Sequence, residues 1–254
     1  MKSIIRRAID LSLGKVLRFL KNLTTPQFTQ MNQYSRVNSV GHTLQTIANE
    51  ESAKWIMENN LDGLFFTNYE EYFDFVCSKV KNLVASLSND QLQNCTILEF
   101  GVWKGFSITK LANQFPSQQL VGFDSFEGLS EDWKGTDHTA GHFDLKGILP
   151  KVPTNVALVK GHIPESFETH QRYYPNQKYL LVNIDTDTKS PAKEILTRIR
   201  EHLIPGSVVM FDKFHGYYGW KMGEWAAFQE FLSETPISFN YLAFTDTRAC
   251  IQIV

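Results

Sequence analysis

Short runs of apolar and β-branched residues alternate with helical stretches from residue 95 to the end of the chain. Strands are predicted at residues 96–100, 120–123, 156–159, 179–184, 207–211, 237–244 and 249–254. Helices are predicted at residues 106–115, 164–173, 191–203 and 220–232. Strands that alternate with helices are typical of a parallel sheet with helices on both faces. Only residues 245–247 separate the last two strands, which must therefore pair antiparallel, because a parallel pair needs a long crossover.

The first 90 residues follow a different pattern. Residues 1–21 combine basic side chains with apolar ones at helical spacing, which predicts a basic amphipathic helix. Such a helix either lies on a membrane surface or packs on its own domain or on a second subunit. We favour packing, because a single short basic helix binds membranes weakly. These N-terminal helices would then be the contact of a homo-oligomer.

Residues 22–50 are mostly polar and predict a linker or a loosely ordered segment. Two further helices are predicted, at residues 51–60 and 69–87. We therefore expect a helical N-terminal extension or cap over residues 1–90 and a separate ligand-binding domain over residues 91–254.

Composition narrows the class of protein. The chain has 254 residues, with 25 Lys and Arg against 27 Asp and Glu. A nucleic-acid-binding protein needs an excess of basic residues, so nucleic acid is not an expected partner. Three widely spaced cysteines, Cys77, Cys95 and Cys250, favour neither a disulfide framework nor a zinc site, which predicts a reducing, cytoplasmic location. No apolar run reaches the length of about 18 residues that a transmembrane helix needs.

A glycine turn follows the first predicted strand of the alternating half. Gly101 and Gly105 lie between this strand and the next helix, at the sheet edge where open α/β folds bind ligands. A dinucleotide fingerprint has a glycine where this chain has Trp103, so a pyrophosphate is disfavoured and a nucleoside without phosphate is allowed. Glu99, at the strand end, could accept a hydrogen bond from a ligand ammonium group. A plain strand–turn–helix corner is the alternative.

An acidic residue also ends the second of these strands. Asp124 lies 25 residues after Glu99, which is the placement that holds two ribose hydroxyls in nucleoside-binding folds. The alternative is a carboxylate that caps a helix. The glycine turn after the first strand and the acid at the end of the second strand occur in the order that nucleoside-binding folds show. Together they favour a nucleoside cofactor.

Two more acids, Asp185 and Asp212, directly follow the apolar runs of the fourth and fifth strands. Neighbouring carboxylates at one sheet edge could share a hard cation through oxygen ligands. They could also form a surface cluster.

Together these motifs resemble the class I S-adenosylmethionine-dependent methyltransferases. Within that class the chain is similar to the macrocin O-methyltransferase (TylF-like) family, which methylates hydroxyls on sugars of natural products. The resemblance rests on residues 99–107, 122–129, 183–187 and 205–212. It implies an α/β fold with a doubly wound, seven-stranded, mostly parallel sheet of the Rossmann-like methyltransferase type, ending in an antiparallel hairpin. Residues 91–254 would be the S-adenosylmethionine-binding domain.

The resemblance also implies roles for particular residues. Glu99 and Gly101 would flank the methionine part of the cofactor, Asp124 would hold the ribose, and Gly161 and His162 would lie near the adenine. The full implied cofactor-binding set is Glu99, Phe100, Gly101, Gly105, Phe106, Ser107, Asp124, Ser125, Phe126, Gly161, His162 and Asp185.

A metal is a further implication. Asp185 and Asp212 would bind a Mg²⁺ ion that orients the acceptor hydroxyl. The family usually has a second oxygen ligand directly after the fifth-strand Asp, whereas this chain has Lys213, which has no acceptor atom. We therefore expect a site that works without metal.

The predicted activity is transfer of a methyl group to a hydroxyl of a small molecule, such as a sugar of a natural product or glycan. Asp187, Lys213 and His215 are the candidate bases or orienting groups, although a lone loop histidine more often makes only local hydrogen bonds. Residues 130–150 form a long connection without periodicity, which predicts a lid over the acceptor. One alternative is an inactive nucleoside-binding or scaffold module, which Lys213 would suit. Another is an NAD-dependent oxidoreductase, which Trp103 disfavours.

Overall fold

The computed structural model describes residues 39–59 and 62–254. The chain divides into two compact units, Met1–Ile47 and Ala48–Val254. Residues 39–47 are the described part of the first unit, and they are helical from Val40 onwards. The basic helix predicted at residues 1–21 lies outside the described residues, and the expected membrane or subunit contact remains a prediction.

Helices and strands alternate through most of the described chain. The helices are α1 (Val40–Glu58), α2 (Tyr69–Ser86), α3 (Asn89–Leu92), α4 (Phe106–Gln114), α5 (Glu165–Tyr173), α6 (Lys189–Ile199) and α7 (Glu224–Glu234). The strands are β1 (Leu64–Phe65), β2 (Cys95–Phe100), β3 (Leu120–Asp124), β4 (Val156–Lys160), β5 (Lys178–Ile184), β6 (Leu203–Phe211), β7 (Phe239–Phe244) and β8 (Ala249–Ile253). Short 3₁₀ turns occupy Arg200–His202 and Trp220–Met222.

All the strands described belong to one sheet, in the order β1-β7-β8-β6-β5-β2-β3-β4. Strand β8 runs antiparallel to both β6 and β7, and the other neighbouring pairs are parallel. The predicted mostly parallel sheet with an antiparallel end is therefore confirmed. The strand number is eight instead of seven, because Leu64 and Phe65 add a short strand beside β7. Two residues are too few for an apolar period to show in the sequence.

Helix α1 begins at Val40, so the linker predicted at residues 22–50 is wrong from residue 40 onwards. Most side chains of residues 40–50 are exposed, so a polar sequence is compatible with a helix there. The Ser39 Oγ accepts a hydrogen bond from the His42 N–H at the start of the helix. The helix predicted at residues 220–232 is also divided, since Gly223 separates a 3₁₀ turn from α7.

Apolar side chains cover both faces of the sheet. Along β2, Leu98 and Phe100 pack in the cluster that contains residues of α5, α6 and α7. Ile97 points to the other face and packs in the cluster that contains residues of α2 and α4. Since α2 shares this core with the strands, the expected boundary between residues 90 and 91 is not a structural one, and the compact unit begins at Ala48. Among residues 39–59 and 62–254, no helix is long and apolar enough to cross a bilayer.

Candidate active site

A cavity of about 320 Å³ opens where β2, β3, β5 and β6 end at the carboxyl edge of the sheet. Of the residues predicted from the sequence, those that line it are Gly101, Asp124, Ser125, Gly161, His162, Asp185, Asp187, Asp212 and Lys213. The connection after β3 adds Leu129, Trp133 and Phe143. The structure therefore brings residues from five separate segments, which follow β2, β3, β4, β5 and β6, to one cavity at the sheet edge.

A larger groove of about 980 Å³ runs beside β4 and α5. It shares Gly161 and His162 with the cavity, but none of the acids that end β3, β5 and β6 lines it. The smaller cavity is the better candidate site, because chemistry needs convergent titratable groups more than it needs volume.

The glycine turn after β2 brings two strand ends together. Gly101 has a φ of 87°, and a Cβ atom there would collide with the carbonyl oxygen of Asp185. The Gly101 N–H donates to the Phe123 carbonyl at 2.9 Å, and the Asp185 N–H donates to the Phe100 carbonyl at 2.8 Å. Only glycine fits this conformation and this spacing, so residue 101 is fixed by the geometry that places Asp185 in the cavity.

Asp124 holds two turns in place with one carboxylate. Its Oδ2 accepts the Trp103 N–H at 2.7 Å and its Oδ1 accepts the Phe126 N–H at 2.6 Å. Trp103 and Phe126 have φ values of 47° and 56°, which are unusual for residues with a side chain. Each carboxylate oxygen keeps a second lone-pair direction, which leaves acceptors for the hydroxyls of a ribose.

Glu99 does not line the cavity. The carboxyl is fully buried and accepts hydrogen bonds from Asn183 Nδ2 at 3.0 Å and Ser107 Oγ at 2.9 Å. Burial raises the pKa of Glu99 to about 7, although both hydrogen bonds oppose this shift. Glu99 thus joins β5 to the first turn of α4, and its contact with a ligand ammonium group remains a prediction.

Several other predicted cofactor residues do not line the cavity either. Phe100 is fully buried and stacks on Phe123, and Phe126 is buried in the apolar cluster on the other face. The side chain of Phe106 is exposed, and Gly105 contacts Val152 and Pro150. The six predicted residues outside the lining are Glu99, Phe100, Gly105, Phe106, Ser107 and Phe126. Aromatic residues next to a motif are often core residues, and the sequence does not distinguish the two cases.

Both oxygens of Asp212 are occupied by cationic side chains. Oδ2 accepts a hydrogen bond from Lys213 Nζ, and Arg248 Nε lies 2.6 Å from Oδ1. Arg248 also lies over the ring of Tyr69, 4.6 Å from its centroid. Arg248 was not predicted from the sequence, where it is one basic residue in a turn.

The implied Mg²⁺ ion does not fit these partners. Lys213 directly follows Asp212, where a second oxygen ligand would be needed, and it has no acceptor atom to offer a metal ion. Lys213 and Arg248 already supply positive charge to Asp212. Within the part of the chain that the structure describes, no three His, Cys, Asp or Glu side chains are grouped as a metal site.

Glu224 is a second residue that the sequence did not reveal. It is the first residue of α7, it is fully buried, and its carboxylate accepts backbone N–H groups from Thr186, Asp187 and Lys213. Burial and the charge of Asp187 raise the pKa of Glu224 to about 8. The one sequence signal is an acid in the otherwise apolar segment after Gly223.

His215 lies away from the cavity. Its side chain is buried, its ring packs near those of Phe214 and Phe244, and its backbone N–H donates to the Thr247 carbonyl at 3.2 Å. Burial lowers the pKa of His215 to about 4, so the ring is neutral at neutral pH. Of the three candidate bases or orienting groups, only Asp187 and Lys213 line the cavity.

The connection between β3 and β4 covers one side of the cavity. The Leu129 N–H donates to the His142 carbonyl and the Gly141 N–H donates to the Leu129 carbonyl, each at 2.9 Å. The rings of His138 and His142 stack with their centroids 3.9 Å apart. Gly135 has a φ of 84°, and a Cβ atom there would collide with the backbone of Gly219. This part of the predicted lid is therefore packed against the residues that follow β6.

Comparisons with known proteins agree with this fold. Residues 98–214 match the model of a family described as a methyltransferase domain. The structure of the calicheamicin methyltransferase CalS11 is similar, with a TM-score of 0.56 and 22% identity over 90% of this chain and 93% of that one. The O-methyltransferase NovP has a TM-score of 0.50 and 14% identity over 70% of this chain and 78% of its own. A search of curated proteins finds no match.

Residues 98–214, somewhat less than half of the chain, therefore match a methyltransferase domain, and the described strand order agrees with that fold. The narrower similarity to the macrocin group stays a prediction.

Proposed function

We propose that this protein is an S-adenosylmethionine-dependent methyltransferase that transfers a methyl group to a hydroxyl of a sugar-containing small molecule. The observation that carries the proposal is that Asp187 and Lys213, a carboxyl and an ammonium group, line the same cavity beside Asp185. CalS11 supports a sugar acceptor, because it is described as a TDP-rhamnose 3'-O-methyltransferase. NovP supports methyl transfer to oxygen, because it is described as an O-methyltransferase.

The cofactor would lie along the strand ends. We assign Asp124 to the two ribose hydroxyls, because its carboxylate lines the cavity and keeps free lone pairs. Gly161 and His162 line the cavity beyond Asp124 and would face the adenine. The methionine part would then point towards Gly101 and Asp185, at the junction of β2 and β5.

The reaction is an in-line displacement. The acceptor oxygen forms a bond to the methyl carbon while the carbon–sulfur bond breaks, and the electron pair of that bond stays on sulfur to give S-adenosylhomocysteine. The protein aligns the two reactants. We assign the hydroxyl proton to Asp187, since burial raises its carboxyl pKa towards neutral pH, which suits a general base. The Lys213 ammonium would stabilise the developing alkoxide.

The proposed transfer needs no metal. Lys213 and Arg248 balance the charge of Asp212, which would otherwise repel the neighbouring carboxylates. The further pairing of Arg248 with the Tyr69 ring holds the guanidinium at this edge.

The test has two parts. Calorimetric titration with S-adenosylhomocysteine measures cofactor binding, with NAD as the control ligand. Incubation with S-adenosylmethionine and TDP-rhamnose or other nucleotide and free sugars is followed by mass spectrometry of the product. We expect S-adenosylhomocysteine binding, and an Asp187→Asn variant that binds it like the parent but transfers methyl far more slowly. Methylation only at nitrogen or carbon atoms of a wider acceptor panel would contradict the proposal.

A further inference from the structure

Glu224 connects the two loops that carry the candidate reacting side chains. Its Oε1 accepts the N–H of Thr186 at 3.2 Å and the N–H of Asp187 at 3.3 Å, both in the loop after β5. Its Oε2 accepts the N–H of Lys213 at 3.0 Å, in the loop after β6. One fully buried carboxylate therefore sets the spacing between these loops.

The hydrogen bond from the Asp187 N–H to Glu224 supports an unusual backbone conformation at Asp187. Asp187 has a φ of 61°, a left-handed conformation that is unfavourable for a residue with a side chain. Such a conformation persists when surrounding contacts impose it. The Glu224 carboxylate supplies one such contact at the Asp187 N–H. It thereby fixes the direction in which the Asp187 side chain leaves the backbone and enters the cavity.

The start of α7 is shaped for this contact. Gly223 precedes Glu224, and a Cβ atom at residue 223 would collide with the Tyr217 hydroxyl and lie 3.3 Å from the Asp187 carbonyl oxygen. The absence of a side chain there lets the helix start close to the loop after β5.

We propose that Glu224 is a positioning residue, which holds Asp187 and Lys213 so that their charged groups face the same part of the cavity. It does not line the cavity itself and acts through the backbone of these two residues. The inference rests on the proposed function for its consequence in methyl transfer, while the positioning can be measured without any acceptor.

The test variant is Glu224→Gln. The side chain keeps its size, but one carboxylate oxygen becomes an NH₂ group, which would face an N–H donor of either loop. The matched control is Glu230→Gln on the same helix. Glu230 is partly exposed and pairs with Lys189 and Lys193 away from the cavity.

Two measurements decide the inference. Hydrogen exchange by NMR should show protected amides at Thr186, Asp187 and Lys213 in the parent and in Glu230→Gln, and exchange about tenfold faster or more at one or both loops in Glu224→Gln. With S-adenosylmethionine and the acceptor that the parent methylates, kcat should fall about 100-fold or more in Glu224→Gln. The Kd for S-adenosylhomocysteine should change less than about threefold.

Unchanged exchange at all three amides in Glu224→Gln would overturn the inference. So would a loss of S-adenosylhomocysteine affinity as large as the loss of kcat, because that result indicates general disruption. If the Gln variant does not fold, Glu224→Asp keeps the carboxyl group but is too short to reach both loops, so one loop should lose protection and the other keep it. A parent that methylates no hydroxyl would contradict the proposed function, while the exchange result would still decide whether Glu224 positions the loops.

Discussion

The backbone N–H of Trp103 donates a 2.7 Å hydrogen bond to Asp124 Oδ2, so the carboxylate assigned to the ribose also holds the glycine turn after β2. Trp103 stands where a dinucleotide-binding turn would have glycine, and it keeps the left-handed conformation with a φ of 47°. The proposed binding of the ribose and the shape of the turn therefore depend on the same side chain.

This double role predicts the effects of Asp124→Ala. Loss of the charged hydrogen bonds should weaken S-adenosylhomocysteine binding by roughly 1.5–3 kcal/mol, and the unpaired N–H groups should lower the free energy of unfolding by about 1–3 kcal/mol. Calorimetry and urea unfolding measure the two quantities. In a Trp103→Gly background the loss of stability should be smaller, because glycine adopts this φ without support. Equal losses in both backgrounds would show that the bond to Trp103 is not what stabilises the turn.

Chelation tests the charge balance at Asp212. We expect the parent to transfer methyl equally well in EDTA and in added Mg²⁺, since Lys213 and Arg248 already pair with Asp212. Lys213→Asp should lower turnover and make the remaining activity depend on Mg²⁺, because a third oxygen donor then faces the strand ends. Loss of parent activity in EDTA that Mg²⁺ restores would refute the metal-free site.

The stability of the protein should fall as the pH rises from 6.5 to 8. The pKa values of Glu224 and Glu99 are raised to about 8 and about 7, so in this range the folded state binds more protons than the unfolded state. His215 opposes this trend only below its ordinary pKa of 6.5. For Glu224 the effect over this range is on the order of 1–2 kcal/mol.

Urea unfolding of the parent and of Glu224→Gln at both pH values measures this contribution. The stability of the variant should depend less on pH, because the amide does not titrate. Equal slopes in the two proteins would mean that Glu224 is ionised throughout the range.

Substitution of His215 separates a buried loop histidine from a catalytic one. We expect His215→Asn to lower the stability, since the ring packs near Phe214 and Phe244, but to leave the pH profile of kcat unchanged. If the pH profile of kcat loses one limb in His215→Asn, His215 takes part in the reaction.

The connection after β3 should respond to a change at Gly135. A Cβ atom at this position would collide with the backbone of Gly219, and the φ of 84° is unfavourable for alanine. Gly135→Ala should therefore expose residues 130–150 to protease and lower methyl transfer. Cofactor plus acceptor should slow cleavage of the parent there, and cleavage that neither slows would contradict the predicted lid.

The sequence predicts those site residues whose position depends only on one strand and the turn that follows it. Asp124, Asp185 and Asp212 each end an apolar run, so a local pattern is enough to place them at the sheet edge. Glu224 and Arg248 reach the site only through tertiary packing. Arg248 stands next to Asp212 because β8 pairs with β6, with Ala249 opposite Phe211. No spacing along the chain indicates that contact.

Exposed helices were also hard to predict. The first part of α1 has only four widely spaced apolar residues, Val40, Leu44, Ile47 and Ala48, and most of its side chains are exposed. Such a short, weak apolar period is easily missed among polar residues. The expectation of a site without metal rested on Lys213 alone. The second cation at Asp212 is Arg248, and the sequence does not reveal it because it reaches Asp212 only through the antiparallel pairing of β8 with β6.

The direction of β8 has an evolutionary consequence. Because β8 runs antiparallel to β6, its first residues lie at the edge where the reaction is proposed, and the β7–β8 turn delivers Arg248 to Asp212. Turns tolerate insertions and substitutions better than strands do. Descendants of this chain could therefore exchange a fixed positive charge for an exchangeable metal ion by changes in this turn and at residue 213, without altering the sheet.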